Sequence, residues 1–184
     1  MRFLDATRGY RRVLPRARRN RWDFFRPMIR RPALLAANGA YESALLVSNR
    51  VEPRLKMLGG MKAAARVGCE FCLDIGSALL RESGLSDEEL LNLARFRESD
   101  VYDHRQKLVL ELAEAITSTP ATVSDDLRTR LDAEFTPAEL AELSSAIAWE
   151  NHRSRLNQAL GVRPAGFSDG TTCLLPEQPL GAAR

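Results

Sequence analysis

Apolar residues recur along this chain at intervals of three and four, and no stretch alternates apolar and polar positions with a period of two. That pattern predicts an all-α chain of seven or so helices. The first runs from Ala33 to Ser48, with Leu34, Leu35, Tyr41, Leu45 and Leu46 as its apolar positions. Pro53 suits a first helical position and opens a second helix over Arg54 to Val67. The third carries the run Cys69-Glu70-Phe71-Cys72 at its start and ends at Glu82 or Ser83, where Gly84 supplies a stop. Ser86 with Glu89, Asp103 with Gln106 and Thr136 with Glu139 form capping boxes for the fourth, fifth and seventh helices, and Ser124 caps the sixth.

Two helices carry further signals. In the second, Gly59-Gly60 would ordinarily weaken a helix, so the expected use of the pair is close approach of another backbone. Lys56, Lys62 and Arg66 of the same helix read as solvated charges, with help to a nearby thiolate as the alternative. In the seventh, the apolar line Leu140, Leu143, Ile147 turns polar through Glu150, Asn151, Ser154 and Gln158. Such a stripe marks a shared interface or buried site, or else a helix that leaves the core.

Charge divides the chain. Residues 1–31 hold eleven arginines against Asp5 and Asp23, a net of +9, and the rest carries −6, for the +3 of the whole. A basic arm of this kind suits nucleic acid, anionic lipid or an acidic protein surface. Tyr10, Trp22, Phe24 and Phe25 interleave its arginines and favour docking on protein, on this chain's own acidic body or a neighbour's. The expected organisation is an arm over 1–31, a helical domain over 32–163 and a tail over 164–184. With 184 residues, no apolar run of membrane length and no signal-peptide core, a single cytoplasmic domain without membrane or nucleic-acid partners is expected.

The chemistry concentrates at Cys69 and Cys72. Residues three apart on a helix have Cβ atoms about 5–6 Å apart, and a disulfide wants about 3.8 Å, which a tightened first turn can reach. The positive helix end also favours a thiolate. Two other uses stay open on the residues alone: half of a zinc site, for which only Cys173, His104 and His152 could add ligands, and two inert buried thiols. Glu70 and Asp74 lie four apart on a face away from the cysteines. Asp74 is expected to make a structural hydrogen bond or ion pair, and Glu70 to serve the helix end. By the helix argument Cys69 is the more exposed, lower-pKa thiol.

The run Gly68-Cys69-Glu70-Phe71-Cys72-Leu73-Asp74-Ile75-Gly76-Ser77, then Gly84-Leu85-Ser86 before an acidic helix, resembles the carboxymuconolactone decarboxylase family, and within it the alkylhydroperoxidase D-like branch. The segment Ala146 to Asn157 resembles that family's last long helix. The resemblance spans about 32–163. It implies an alkylhydroperoxidase D-like helical fold with the CxxC at the start of a central helix, assembled as homotrimers or hexamers. It further implies a thiol peroxidase or disulfide oxidoreductase with no bound cofactor, using a peroxide or other small-molecule substrate and a dithiol reductant. By resemblance Cys72 attacks and Cys69 resolves, against the helix argument.

The match departs where the family's hydroperoxidases place a relay. The histidine expected four residues after the second cysteine is Gly76, and the glutamate expected about a dozen before the first is Met57. Slow peroxide turnover is therefore expected, raised by Gly76→His with Met57→Glu. The alternatives are a lactone decarboxylase-type enzyme, with His152 and Arg153 as its only adjacent candidates, and a non-catalytic helical oligomer that binds partners.

Overall fold

The computed structural model describes residues 3–177, with side chains from residue 8 onward, so the two ends of the expected arm and tail lie outside the described residues. Among the described residues every regular element is helical. In chain order they are α1 (Phe3–Val13), α2 (Phe25–Met28), α3 (Pro32–Val47), α4 (Pro53–Val67), α5 (Glu70–Glu82), α6 (Asp87–Asn92), α7 (His104–Thr117), α8 (Asp125–Glu134) and α9 (Pro137–Ala159), with short 3₁₀ turns after α1 and α6. Seven were expected. The two added helices lie in the basic arm, where arginine masks the apolar spacing. No helix among the described residues is long and apolar enough to cross a membrane.

The seven expected helices begin where their local chemistry dictates. Ser86, Asp103 and Thr136 each accept from the third residue of their helix, while Glu89, Gln106 and Glu139 reach back to close the box. Proline stands in the first turn of α3, α4 and α9. α4 is the central strut and packs on α5, α7 and α9.

Gly59 explains how α4 sits so close to its neighbours. A Cβ there would lie 2.9 Å from Ile147 Cγ1 and 3.1 Å from Val109 Cγ1. The close approach is therefore of side chains from α7 and α9, where another backbone was expected. Gly59→Ala is expected to lower stability by about 1–3 kcal/mol through overpacking, read as a lower urea midpoint with unchanged slope.

Lys62 overturns the reading of solvated charges on α4. It is fully buried, with Nζ 2.6 Å from Glu177, 3.0 Å from Glu114 and 4.9 Å from the centre of the Phe96 ring. Lys56 Nζ likewise pairs with Glu142 at 2.6 Å and with the Ser48 carbonyl at 2.7 Å. Both lysines bind the scaffold together, away from the thiols.

The arm lies on the body of its own chain. Arg12 and Arg16 pair with Glu82 at the end of α5, at 3.1 and 2.6 Å. Arg19 pairs with Asp169, Arg163 with Asp23, and the Arg18 N–H donates to the Ala165 carbonyl. Exposed pairs of this kind contribute little singly. Val13, fully buried against Ala78, Ala165 and Phe167, supplies the apolar anchor.

Candidate functional site

Cys69 is the N-cap of α5, with extended backbone angles, and Cys72 stands in the first turn. The Cys72 N–H donates to Cys69 Sγ at 3.2 Å, so the sulfur of the cap residue does what a serine oxygen does at other helix starts. The two are joined as a disulfide with Cα atoms 5.3 Å apart. The pair is thus in reach of itself with no rearrangement of the helix.

Both cysteines are buried, where the helix end had suggested an exposed Cys69. Cys69 is 2% exposed and Cys72 is 7% exposed. Both lie within the main core cluster, against which Leu174 of the C-terminal segment packs, and the Glu177 N–H bonds the Ala65 carbonyl. Cys72 borders a cavity of about 1130 Å³.

The cavity lies between the arm, α3, α5 and α9. Apolar side chains dominate its lining, among them Phe24, Leu45, Phe71, Ile75 and Leu79. Beside Cys72 its polar groups come from α9: of the polar stripe Glu150 and Ser154 are buried, Asn151 is half-buried, and Gln158 is exposed with its amide donating to the Val67 carbonyl. Asn157 Nδ2 donates to Cys72 Sγ at 3.4 Å and to Cys69 Sγ at 4.0 Å. Ser154 Oγ stands 3.5 Å from Cys72 Sγ and 3.0 Å from Glu150 Oε1. Arg153 pairs with Glu150 and with Glu42 of α3. Burial pushes the Tyr10 hydroxyl of α1 above its ordinary pKa; the Arg153 charge works against this, and the Glu42 and Glu150 charges add to it.

The positions of the missing relay are filled. A Cβ on Gly76 would fall 2.1 Å from Met61 Sδ, so the buried Met61 occupies the space a histidine would need. Met57 packs at the rim of the core, with its sulfur 3.6 Å from Ser83 Oγ. A histidine at Gly76 therefore requires the flexible end of Met61, which lines the cavity, to move. We expect that substitution to displace Met61 and lower the melting temperature.

Asp74 points away from the sulfurs, as its helical position predicts. Its Oδ2 accepts from the N–H groups of Ala165, Gly166 and Phe167 at 2.8–3.2 Å, and its Oδ1 from the N–H and hydroxyl of Ser168 at 2.8 and 2.7 Å. His152 is exposed and stacks on Trp149, whose other face meets Tyr41, so His152 and Arg153 do not form a joint acid–base pair. Cys173 is free and half-buried, its thiol near the Leu174 carbonyl. No cluster of three or more metal-ligating side chains occurs among the described residues.

A redox-capable dithiol at the start of a central helix, walled by a last long helix, defines a class of helical protein to which the comparisons give a family. The profile of the carboxymuconolactone decarboxylase family matches residues 32–115. The uncharacterised protein YnjA of Escherichia coli (strain K12) is 37% identical over 128 residues, 70% of this chain and 68% of that protein. The uncharacterised protein YdfG of Bacillus subtilis (strain 168) is 31% identical over 99 residues, 53% of this chain and 67% of that protein. A crystal structure of a protein of unknown function from Agrobacterium tumefaciens, named as a candidate antioxidant defence protein AhpD, superposes with TM-score 0.71 at 26% identity, over 74% of this chain and 94% of the other. The debrominase Bmp8 superposes with TM-score 0.71 at 20% identity, over 76% of this chain and 75% of that one, and shares the fold. The chain belongs to the carboxymuconolactone decarboxylase family, with the alkylhydroperoxidase D-like fold.

Proposed function

We propose that the protein is a thiol-dependent peroxidase in which Cys72 attacks and Cys69 resolves. The asymmetry of the pair carries this reading: Cys72 borders a large apolar cavity, and Cys69 is not among the residues that line it. In the first step the Cys72 thiolate attacks the distal oxygen of a hydroperoxide. The O–O bond breaks, an alcohol leaves, and Cys72 becomes a sulfenic acid. The Cys69 thiol then displaces water from it and closes the disulfide. A dithiol donor returns both sulfurs to thiols and is itself oxidised.

Three features support the assignment of roles. Asn157 donates chiefly to Cys72, which favours a thiolate there. Cys69, as the cap, lies within disulfide reach of Cys72 in the folded helix. The apolar cavity suits an organic hydroperoxide over hydrogen peroxide. Reduced protein supplied with dithiothreitol should consume cumene hydroperoxide over many turnovers. Consumption no faster than dithiothreitol alone would sink the reading.

A second reading rests on the same cavity. Reductive dehalogenation needs a dithiol and a pocket for an aromatic ring: an aryl bromide and two thiols give the arene, hydrogen bromide and a disulfide. The structure of Bmp8 with 2,3,4-tribromopyrrole has the same fold at 19% identity. Bromide release from that compound by the reduced protein, with no hydroperoxide consumption, would favour this second reading.

A further inference from the structure

Cys72 has polar partners, although the family's relay positions hold Gly76 and Met57. From α9, the wholly buried Ser154 sets its Oγ 3.5 Å from Cys72 Sγ and 3.0 Å from Glu150 Oε1. Glu150 is also buried and stands one helical turn earlier, the spacing that lets two side chains of one helix meet. The single Ser154 hydroxyl proton can go to the carboxylate or to the sulfur, and once the disulfide is reduced the Cys72 S–H can donate to Ser154 Oγ and complete a line from sulfur to carboxylate.

The surroundings fix that line. Burying a carboxylate is costly unless its charge is met. Arg153 meets it through Oε2, on the side away from Ser154, and Arg153 is itself shared with Glu42 of α3. Tyr10 of α1 is the remaining titratable neighbour. α4 presents only Gly60, where a Cβ would come within 3.8–3.9 Å of the Glu150 side chain. α5 presents Cys72. Among the described residues the oxygen left for Ser154 therefore has one hydrogen-bond partner, and that hydroxyl lies 3.5 Å from the sulfur.

We propose that Ser154 and Glu150 form the proton relay for Cys72, an α9 device in place of the histidine and glutamate at Gly76 and Met57. This rests on the peroxidase reading. The Cys72 S–H passes its proton to Ser154 Oγ as the Ser154 hydroxyl passes its own to Glu150, leaving a thiolate and a neutral carboxylic acid. The thiolate takes the distal oxygen of the hydroperoxide and the O–O bond breaks. The departing alkoxide receives a proton by the reverse path and leaves as the alcohol, and Glu150 is a carboxylate again. One proton is lent and returned, and two electrons move from sulfur to oxygen. Ser154 is the catalytic residue, in contact with the reacting atom. Glu150 is the positioning residue behind it, which stores the proton.

This arrangement makes two observables move in opposite directions. While Glu150 is a carboxylate, it claims the Ser154 hydroxyl proton and holds Cys72 as a thiol. In Glu150→Gln that claim weakens, Ser154 can donate to the sulfur, and the thiolate becomes easier to form. Alkylation of Cys72 by iodoacetamide at neutral pH, measured with Cys69→Ser and Cys173→Ser to isolate it, should then rise roughly three- to tenfold. Turnover of cumene hydroperoxide by Glu150→Gln in the otherwise wild-type chain should fall about 10²–10⁴-fold. Ser154→Ala should lose turnover similarly, and Glu150→Asp should recover part of it. Turnover within about twofold of wild type in Glu150→Gln overturns the relay. So does a joint fall of alkylation and turnover, which marks a merely structural residue. If the wild-type protein reduces no hydroperoxide but alkylation still rises in Glu150→Gln, the peroxidase reading fails while the proton link between Cys72 and Glu150 stands.

Discussion

Asp74→Asn is expected to destabilise the fold by about 3–5 kcal/mol and to free the segment from Arg163 to Glu177. Five donors converge on the two oxygens of this buried carboxylate. Asparagine keeps one acceptor oxygen and turns an amide N–H₂ toward the remaining donors, so either the Ala165–Phe167 group or the Ser168 group loses its partner. The consequence spreads because the anchored segment holds other elements: Ala165 accepts from Arg18 and Arg19 of the arm, and Glu177 caps the buried Lys62.

The same carboxylate sets a pH dependence. Burial works to raise the Asp74 pKa, but the bonds from Ser168, Phe167 and Gly166 hold it below its ordinary value. A group with a depressed folded-state pKa contributes stability above its unfolded pKa and loses it as pH falls through the folded one. The stability gap between wild type and Asp74→Asn should therefore be full at neutral pH and shrink below about pH 4. Urea melts of both proteins between neutral and acid pH test this. A gap that does not change with pH would assign the effect to packing alone.

Serine substitution at each cysteine should give the largest effects on activity, and different ones. Cys72→Ser should remove both turnover and the first stoichiometric reaction, because no thiolate then faces the cavity. Cys69→Ser should also stop steady turnover with a dithiol donor that acts through the internal disulfide. It should nevertheless consume about one equivalent of hydroperoxide in a burst, since the attacking sulfur and its Asn157 and Ser154 partners remain. Rapid-mixing measurement of hydroperoxide loss separates the two variants. A burst in Cys72→Ser and none in Cys69→Ser would reverse the roles.

Local chemistry made much of this legible in the sequence. A capping box needs only residues three apart, so Ser86, Asp103 and Thr136 set their helices without reference to the rest of the fold. The cysteine pair is local in the same sense, and the helical position of Asp74 was enough to turn it from the sulfurs. The failures share a non-local cause. Lys62 looks like any lysine until the folded chain brings Glu114 and Glu177 to it. Glu150 and Ser154 stood out as a polar continuation of an apolar stripe, while Asn157 did not, and the target of all three lies on a helix far earlier in the chain. Gly76 read as an absence, whereas Met61 fills the space beside it.

Time-resolved mapping of the first oxidised sulfur tests the central claim most directly. Fully reduced Cys69→Ser protein is mixed with cumene hydroperoxide in the presence of dimedone, and the modified peptide is identified by mass spectrometry, with Cys72→Ser treated in parallel. The account predicts a dimedone adduct on Cys72 in the first protein, none on Cys69 in the second, and in wild type a Cys69–Cys72 disulfide that forms before any adduct accumulates. A rapid adduct on Cys69, with Cys72 unmodified, would contradict it.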